Sequence, residues 1–272
     1  MIAALLVLLV GVTDIIRVGR TGPVVWTLYS VVSAGFVALA VGGFDVPWLL
    51  ALGCVAATVL WSLTMPGEDP RSGGRGLWPI AVFTALVVAA IAYDRVVPAS
   101  GGELGALIGD LVPAAAPQLQ ASTVVAIIAA LVFLTKSSNL IVRTALGRSL
   151  ADDEGSTVGD TDDTSGWDLR VGRRVWATAR PAKPSAPSSA EPALRGGRLI
   201  GPLERILIVI LAFGGAYPVI AALLAAKGIV RFPEISADRG VGSKAEEFLV
   251  GSLTSWSLSA AAFGLIVVAA TV

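Results

Sequence analysis

Long apolar segments with almost no charged residues are the feature that most constrains how this chain can fold. A helix needs about 20 apolar residues to cross the roughly 30 Å hydrocarbon core of a bilayer. Seven segments approach that length: 2–17, 24–43, 46–64, 78–97, 122–142, 200–226 and 247–271. Charged residues make up 15% of the chain, against about 25% in soluble domains. We therefore predict an all-α, polytopic transmembrane helical bundle of about seven spans.

The composition removes the commonest catalytic and metal-binding groups. The chain has no histidine and a single cysteine, Cys54, which lies within an apolar run. Histidine is the usual metal ligand and the usual general base at neutral pH. The acidic run at 152–163 lacks the glycine and glutamate spacing of a calcium-binding EF-hand loop. We therefore predict no catalytic residue, no metal and no cofactor, and we interpret Cys54 as a buried apolar side chain.

Basic residues alternate between the predicted inter-span loops. Loops 17–23, 65–77 and 143–199 contain Lys or Arg, whereas loops 43–47 and 96–121 contain neither. Basic loops of membrane proteins generally face the cytoplasm. We therefore predict a multi-pass protein of the cell membrane, with its N-terminus outside and its three basic loops in the cytoplasm.

Polar stretches divide the chain into five predicted regions. These are an N-terminal four-span membrane region (1–97), an external loop or interfacial amphipathic helix (98–121), a fifth span (122–148), a disordered cytoplasmic linker (149–197) and a C-terminal membrane region with a charged cluster (198–272). The linker is acidic at its start, basic at its end and rich in Pro, Ser and Ala, a composition typical of disorder. Its central segment GWDLRVGRRVWATA (166–179) is also compatible with a short hairpin or with docking on anionic lipid headgroups.

A cluster of charged residues flanks the apolar stretch of the C-terminal region. Glu204 and Arg205 lie at its start, and Lys227 and Arg231 share one helix face near its end. Glu247, with its neighbour at 246, opens the next apolar segment and is a candidate partner for the two later bases. These five residues form our candidate functional cluster. The alternative interpretation is interfacial anchoring together with loop salt bridges.

The stretch 203–232 is too long for a single straight span. As one helix it would measure about 45 Å at roughly 1.5 Å per residue, more than the hydrocarbon core. The sequence GGAYP at 214–218 interrupts it. We predict a crossing helix kinked at Pro218, because exposed irregular backbone is costly in lipid. A re-entrant hairpin at 203–232 is the alternative, which would reduce the number of spans to six.

Two further acids lie near the ends of apolar segments. Asp14 precedes Arg17 by one helical turn, so we predict an ion pair between them. Our secondary candidate site residues are Asp14, Arg17, Gly201, Gly251 and Ser255. We interpret Asp94 and Arg95, at the end of the fourth segment, in the same way. No predicted span has a lone charge at its centre, which argues against a proton relay or a voltage sensor.

Several stretches of the C-terminal half carry a resemblance to a known family. They are FLTKSSNLIVRTAL (133–146), GGRLIGPLERILI (196–208), AAKGIVRF (225–232) and EEFLVGSLTS (246–255). Over about 125–260, without the linker, the chain resembles an uncharacterised family of bacterial integral membrane proteins, a domain of unknown function. The resemblance carries over Gly201, Glu204, Arg205, Lys227, Arg231, Glu247, Gly251 and Ser255. It implies no activity, and histidines of the family's first spans are lacking here.

From the sequence we predict a non-enzymatic accessory or scaffold protein that acts through its cytoplasmic linker and its charged C-terminal cluster. The expected partners are the lipid bilayer, anionic lipid headgroups and an unidentified membrane or cytoplasmic protein, with no nucleic acid. The alternative is a small-solute or ion transporter or channel that uses the broken sixth helix, because discontinuous helices can form substrate sites. A membrane enzyme acting on lipid would require a nucleophile or metal motif, and we find none in the sequence.

Overall fold

The computed structural model describes residues 1–17, 23–65, 77–97, 101–111, 120–156, 167–171, 174–179, 197–236 and 243–271. The helices are α1 (Ile2–Ile16), α2 (Pro23–Ala38), α3 (Trp48–Thr64), α4 (Trp78–Val96), α5 (Gly102–Leu111), α6 (Ala121–Thr135), α7 (Ser137–Ser156), α8 (Gly197–Phe213), α9 (Tyr217–Ser236) and α10 (Ser243–Thr271). A π-helical stretch, Leu39–Gly43, continues α2. Strands β1 (Trp167–Val171) and β2 (Arg174–Ala179) form an antiparallel hairpin.

Three helices among the described residues are long and apolar enough to cross a membrane: Val24–Gly43, Trp78–Val96 and Lys244–Thr271. A fourth arises if α6 and the first part of α7, which are bent by 43°, count as one broken span. Helices α1 and α3 are apolar but shorter. The predicted helical architecture is thus confirmed, whereas helix length and composition do not confirm seven spans.

Helix α1 forms the centre of the bundle. Leu5, Leu9 and Val10 are almost completely buried, and α1 packs against α6, α3 and α4. A helix that is apolar on all sides is suited to such a position. At Gly11 the backbone of α6 comes so close that an added Cβ would lie 3.1 Å from the Phe133 nitrogen. The segment predicted as a first span therefore serves as the core on which the other helices pack.

The carboxylate of Asp94 closes the N-terminal end of α1. It accepts hydrogen bonds from the backbone N–H groups of Ile2 and Ala3, each at 3.0 Å, and lies 2.9 Å from the Met1 amino group. The first N–H groups of a helix have no acceptor within it, so a buried carboxylate satisfies them. The predicted pairing of Asp94 with Arg95 is wrong, because α4 packs against α1 and directs Asp94 inward.

The predicted ion pair between Asp14 and Arg17 is also wrong. Asp14 is 1% exposed and accepts a hydrogen bond from the Trp61 indole N–H, with N–O distances of 3.1 and 3.3 Å. Arg17 instead donates to the Met65 carbonyl at 2.9 Å. Both side chains find partners on or just beyond α3, because α1 packs along that helix. Tertiary contacts therefore replace the predicted local pair.

The two predicted polar regions contain regular structure. The external region 98–121 includes α5, whose Leu111 is 83% exposed. The region predicted as a disordered linker, 149–197, includes the end of α7 and the β1–β2 hairpin. The hairpin lies in segment 166–179, for which a short hairpin was the alternative to a disordered linker. The remainder of that region, 157–166, 172–173 and 180–196, lies outside the described residues.

Candidate functional site

Helices α8 and α9 form an antiparallel helical hairpin. The turn contains Gly215 with a φ of 65°, a left-handed conformation that glycine adopts without steric cost. The amides of Gly215 and Ala216 donate to the carbonyls of Ala212 and Leu211, which closes the end of α8. The predicted single helix kinked at Pro218 is therefore wrong, because the chain reverses at this turn. Pro218 lies in the first turn of α9, where its missing N–H is harmless.

The chain reversal brings Glu204 of α8 against Lys227 of α9. The Lys227 ammonium donates to both carboxylate oxygens at 2.6 and 2.8 Å, although 23 residues separate the pair. One straight helix would hold them about 35 Å apart. Trp256 of α10 donates its indole N–H to Glu204 at 3.2 Å, and its ring centroid lies 6.0 Å from the ammonium. The partner of Lys227 is thus Glu204, and the predicted pairing with Glu247 is wrong.

Arg205 joins α8 to three other helices and is 2% exposed. Its Nε donates to Ser255 Oγ of α10 at 3.0 Å, and its Nη1 donates to Ser138 Oγ at 2.6 Å and Asn139 Oδ1 at 2.8 Å, both in α7. The carbonyl of Leu134 in α6 accepts a further bond from Nη1 at 3.2 Å. This carbonyl is available because α6 ends just after it, at the bend before α7.

A cavity of about 480 Å³ lies between α7, α8, α9 and α10. The C-terminal residues singled out in the sequence all line it: Gly201, Glu204, Arg205, Lys227, Arg231, Glu247, Gly251 and Ser255. The structure therefore brings together residues from three helices that are remote in sequence. The secondary candidates Asp14 and Arg17 are not among the lining residues and lie instead at the contact between α1 and α3. The functional role of all these residues stays a prediction.

Sequence analysis missed three side chains of this site: Ser138, Asn139 and Trp256. Ser138 and Asn139 hold the Arg205 guanidinium, and Trp256 holds the Glu204 carboxylate. A signal for the first two was the polar run KSSN at 136–139, inside an apolar segment. Polar groups within a membrane segment usually face a partner. Trp256 offered no comparable signal, since aromatic residues near span ends are common.

The described part of the cavity lining is more basic than acidic. Within it are four basic side chains, Arg205, Lys227, Arg231 and Lys244, and two acidic ones, Glu204 and Glu247. Exposed apolar side chains, including Leu203 and Phe232, cover the outer faces of α8 and α9. Among the described residues, no group of three or more His, Cys, Asp or Glu side chains is placed to hold a metal ion. The arrangement is suited to binding an anionic group next to an apolar surface.

Comparisons with known proteins do not identify the site. No protein-family model, curated protein or solved structure was found to match this chain. Because function depends on the chemistry of a site, the function of this protein has to be inferred from the cavity and the apolar helices.

Proposed function

We propose that this chain is a multi-pass cell-membrane protein with six crossing segments and one re-entrant hairpin. The crossing segments are α1, α2 with its π-helical continuation, α3, α4, α6 with α7, and α10. The hairpin is α8–α9. No charged residue lies between Arg205 and Lys227. From these two residues, α8 and α9 each extend about 15 Å to the turn that joins them. That length is about half of a hydrocarbon core, so the hairpin would end within the bilayer.

Contacts between helix ends support one assignment of the ends of the six segments to the two sides of the membrane. At one end of the bundle the Met1 amino group meets Asp94, and Ser122 Oγ donates to the Ala269 carbonyl at 2.9 Å. At the other end Arg17 reaches the carbonyl that follows α3. If the first end faces outward, the basic loops and the segment after α9 all face the cytoplasm, as the positive-inside tendency requires.

A cysteine introduced at Ser236 tests this topology. Ser236 is exposed at the end of α9, and Cys54, the single cysteine of the chain, is buried. Ser236→Cys in a Cys54→Ala background is expected to resist a membrane-impermeant maleimide in intact cells and to react after lysis. The matched control, Leu111→Cys in exposed α5, is expected to react in intact cells. Labelling of Ser236→Cys in intact cells would show that 198–236 crosses the membrane.

Within this topology we infer a non-enzymatic accessory or scaffold role, exerted through the α7–α10 cavity and the linker. The observation that carries it is the cavity itself, which gathers charged side chains beside an apolar hairpin. Arginine, lysine and glutamate bind charged partners well, whereas the chain has no histidine to transfer protons at neutral pH. The proposed partners are the bilayer, anionic headgroups and a membrane or cytoplasmic protein. Membership of the uncharacterised family that the C-terminal half resembles is part of this proposal.

Site-specific photo-crosslinking in cells tests the accessory role. A photoreactive residue at Ile235, which lines the cavity, is expected to yield a discrete protein adduct. The same residue at Leu203, exposed on the outer face of α8, is expected to react with lipid only. Because Glu204 and Lys227 pair inside the cavity, the double variant Glu204→Gln/Lys227→Gln is expected to lose the adduct while membrane abundance is retained. Equal adducts at both positions, or none at Ile235, would argue against the role.

The hairpin itself favours a second candidate function, a small-solute or ion transporter or channel. Non-helical backbone at membrane depth is tolerated where it lines a cavity, and broken helices form substrate sites in many transporters. Anion exchange by the purified chain in liposomes, abolished by the same double variant, would favour this function over the accessory role.

A further inference from the structure

The Arg205 guanidinium has unused donors that face the cavity. An arginine carries five N–H donors, and here Nε and Nη1 supply all the hydrogen bonds that Arg205 makes with described residues. Their acceptors are hydroxyl, amide and carbonyl oxygens, and none is a carboxylate. The two N–H groups of Nη2 thus have no acceptor among the described residues. Since Arg205 lines the cavity, these unpaired donors are available to a ligand that occupies it.

Gly201 leaves access to these donors. It lies one helical turn before Arg205, and a Cβ at this position would stand 3.4 Å from Nη2 and 3.6 Å from Asn139 Oδ1. Without that carbon, the cavity extends to the edge of the guanidinium, and both residues line it. Because a Cβ at 201 would already be in van der Waals contact with Nη2, a larger side chain there would cover this nitrogen.

The charge balance of the cavity selects an anion. Lys227 and Trp256 both donate hydrogen bonds to the Glu204 carboxylate. The opposite charges of Glu204 and Lys227 therefore offset each other. Among the described lining residues the other charged side chains are three bases, Arg205, Arg231 and Lys244, and one acid, Glu247, and Arg205 has no carboxylate among its hydrogen-bond partners. A buried charge without an opposite charge in contact is costly, and an anion bound at Arg205 would offset that cost. Arginine is also the side chain best suited to oxyanions, because its fork matches their geometry.

We propose that the cavity binds an anionic phosphate group, whose oxygens accept hydrogen bonds from Arg205 Nη2 near the basic side chains of Arg231 and Lys244. This inference rests on the proposed use of the same cavity and adds the class of its ligand. The phosphate belongs to a phospholipid headgroup or to a soluble phosphate. The exposed apolar side chains beside the cavity, such as Phe232, suit the acyl chains of a lipid.

The test uses the purified full-length chain in a neutral detergent, with the apparent Tm as the readout. The probes are dioleoylphosphatidylglycerol and, separately, inorganic phosphate, with dioleoylphosphatidylcholine and sodium chloride at equal ionic strength as controls. A ligand that binds the native state raises the Tm in proportion to its occupancy. At least one probe is expected to raise the Tm beyond its control. A rise in Tm with the lipid alone would identify a lipid headgroup as the source of the phosphate. A rise in Tm with inorganic phosphate would identify a soluble ligand.

Two variants connect the binding to the cavity. Gly201→Val, which covers Nη2, and Arg231→Gln/Lys244→Gln, which removes two exposed positive charges of the lining, are each expected to weaken binding about tenfold or more. Arg143→Gln removes an exposed arginine of α7 that does not line the cavity and is expected to bind as wild type. No shift with either probe, a shift equal to the control, or unchanged binding in both variants would overturn the proposal. If the photoreactive residue at Ile235 gives no protein adduct but the chain still binds a phosphate probe, only the accessory role is contradicted.

Discussion

Replacing Arg205 by alanine is expected to lower the free energy of unfolding by about 2–3 kcal/mol. The side chain is buried and holds acceptors on three other helices, among them Asn139 and Ser255. Its removal leaves those acceptors without their donors and opens a space between α8 and α10. The measurement is unfolding of the full chain in mixed micelles by sodium dodecyl sulfate, followed by tryptophan fluorescence.

Two variants show whether the loss comes from the hydrogen-bond geometry. Arg205→Lys keeps the charge but lacks the planar fork, so we expect it to recover only part of the stability. Arg143→Ala, which removes an exposed arginine from α7, is expected to unfold as wild type. If Arg205→Ala and Arg143→Ala unfold at the same detergent fraction, Arg205 does not hold the helices together.

Replacing Asp94 by alanine is expected to lower the free energy of unfolding by about 2 kcal/mol. The carboxylate is the acceptor for the amides of Ile2 and Ala3 and for the Met1 ammonium, all of them buried. Without it, these donors have no acceptor at the start of the most buried helix. The same detergent unfolding experiment measures the effect.

Asp94→Asn and Arg95→Ala are the matched controls for this prediction. Asparagine keeps one side-chain oxygen as an acceptor, so a smaller loss than with alanine is expected. Arg95 is exposed, and its replacement is expected to leave stability unchanged. A loss for Arg95→Ala equal to that for Asp94→Ala would restore the local pair predicted from the sequence and would contradict the capping contact.

The C-terminal hairpin shows how far local sequence information extends. The GGAYP sequence at 214–218 marks a break in the helix, because glycine ends helices and proline begins them. A kinked crossing helix and a hairpin both require such a break, so the break alone does not distinguish them. The contact of Glu204 in α8 with Lys227 in α9 distinguishes them, and it joins residues that are 23 positions apart.

The candidate site shows the same division between local and non-local information. Its charged residues could be selected from the sequence, because charges beside apolar stretches are few and costly in a membrane. Their partners could not, since Ser138 and Asn139 of α7 and Ser255 of α10 reach Arg205 only after the helices pack. For Asp14 the short-range rule predicted Arg17, and packing against α3 supplied Trp61 instead.

Patterns along the chain were sufficient to predict the helical, membrane-compatible character of the protein, the approximate positions of its helices and the set of charged residues at their ends. Each of these depends on hydrophobicity and helix signals within about twenty neighbouring residues. Three features became evident only from the packed helices: α1 lies at the centre, α8 and α9 fold back on each other, and the charged residues of the C-terminal cluster line one cavity. These outcomes depend on packing and hydrogen bonds between segments remote in sequence, which no local pattern encodes.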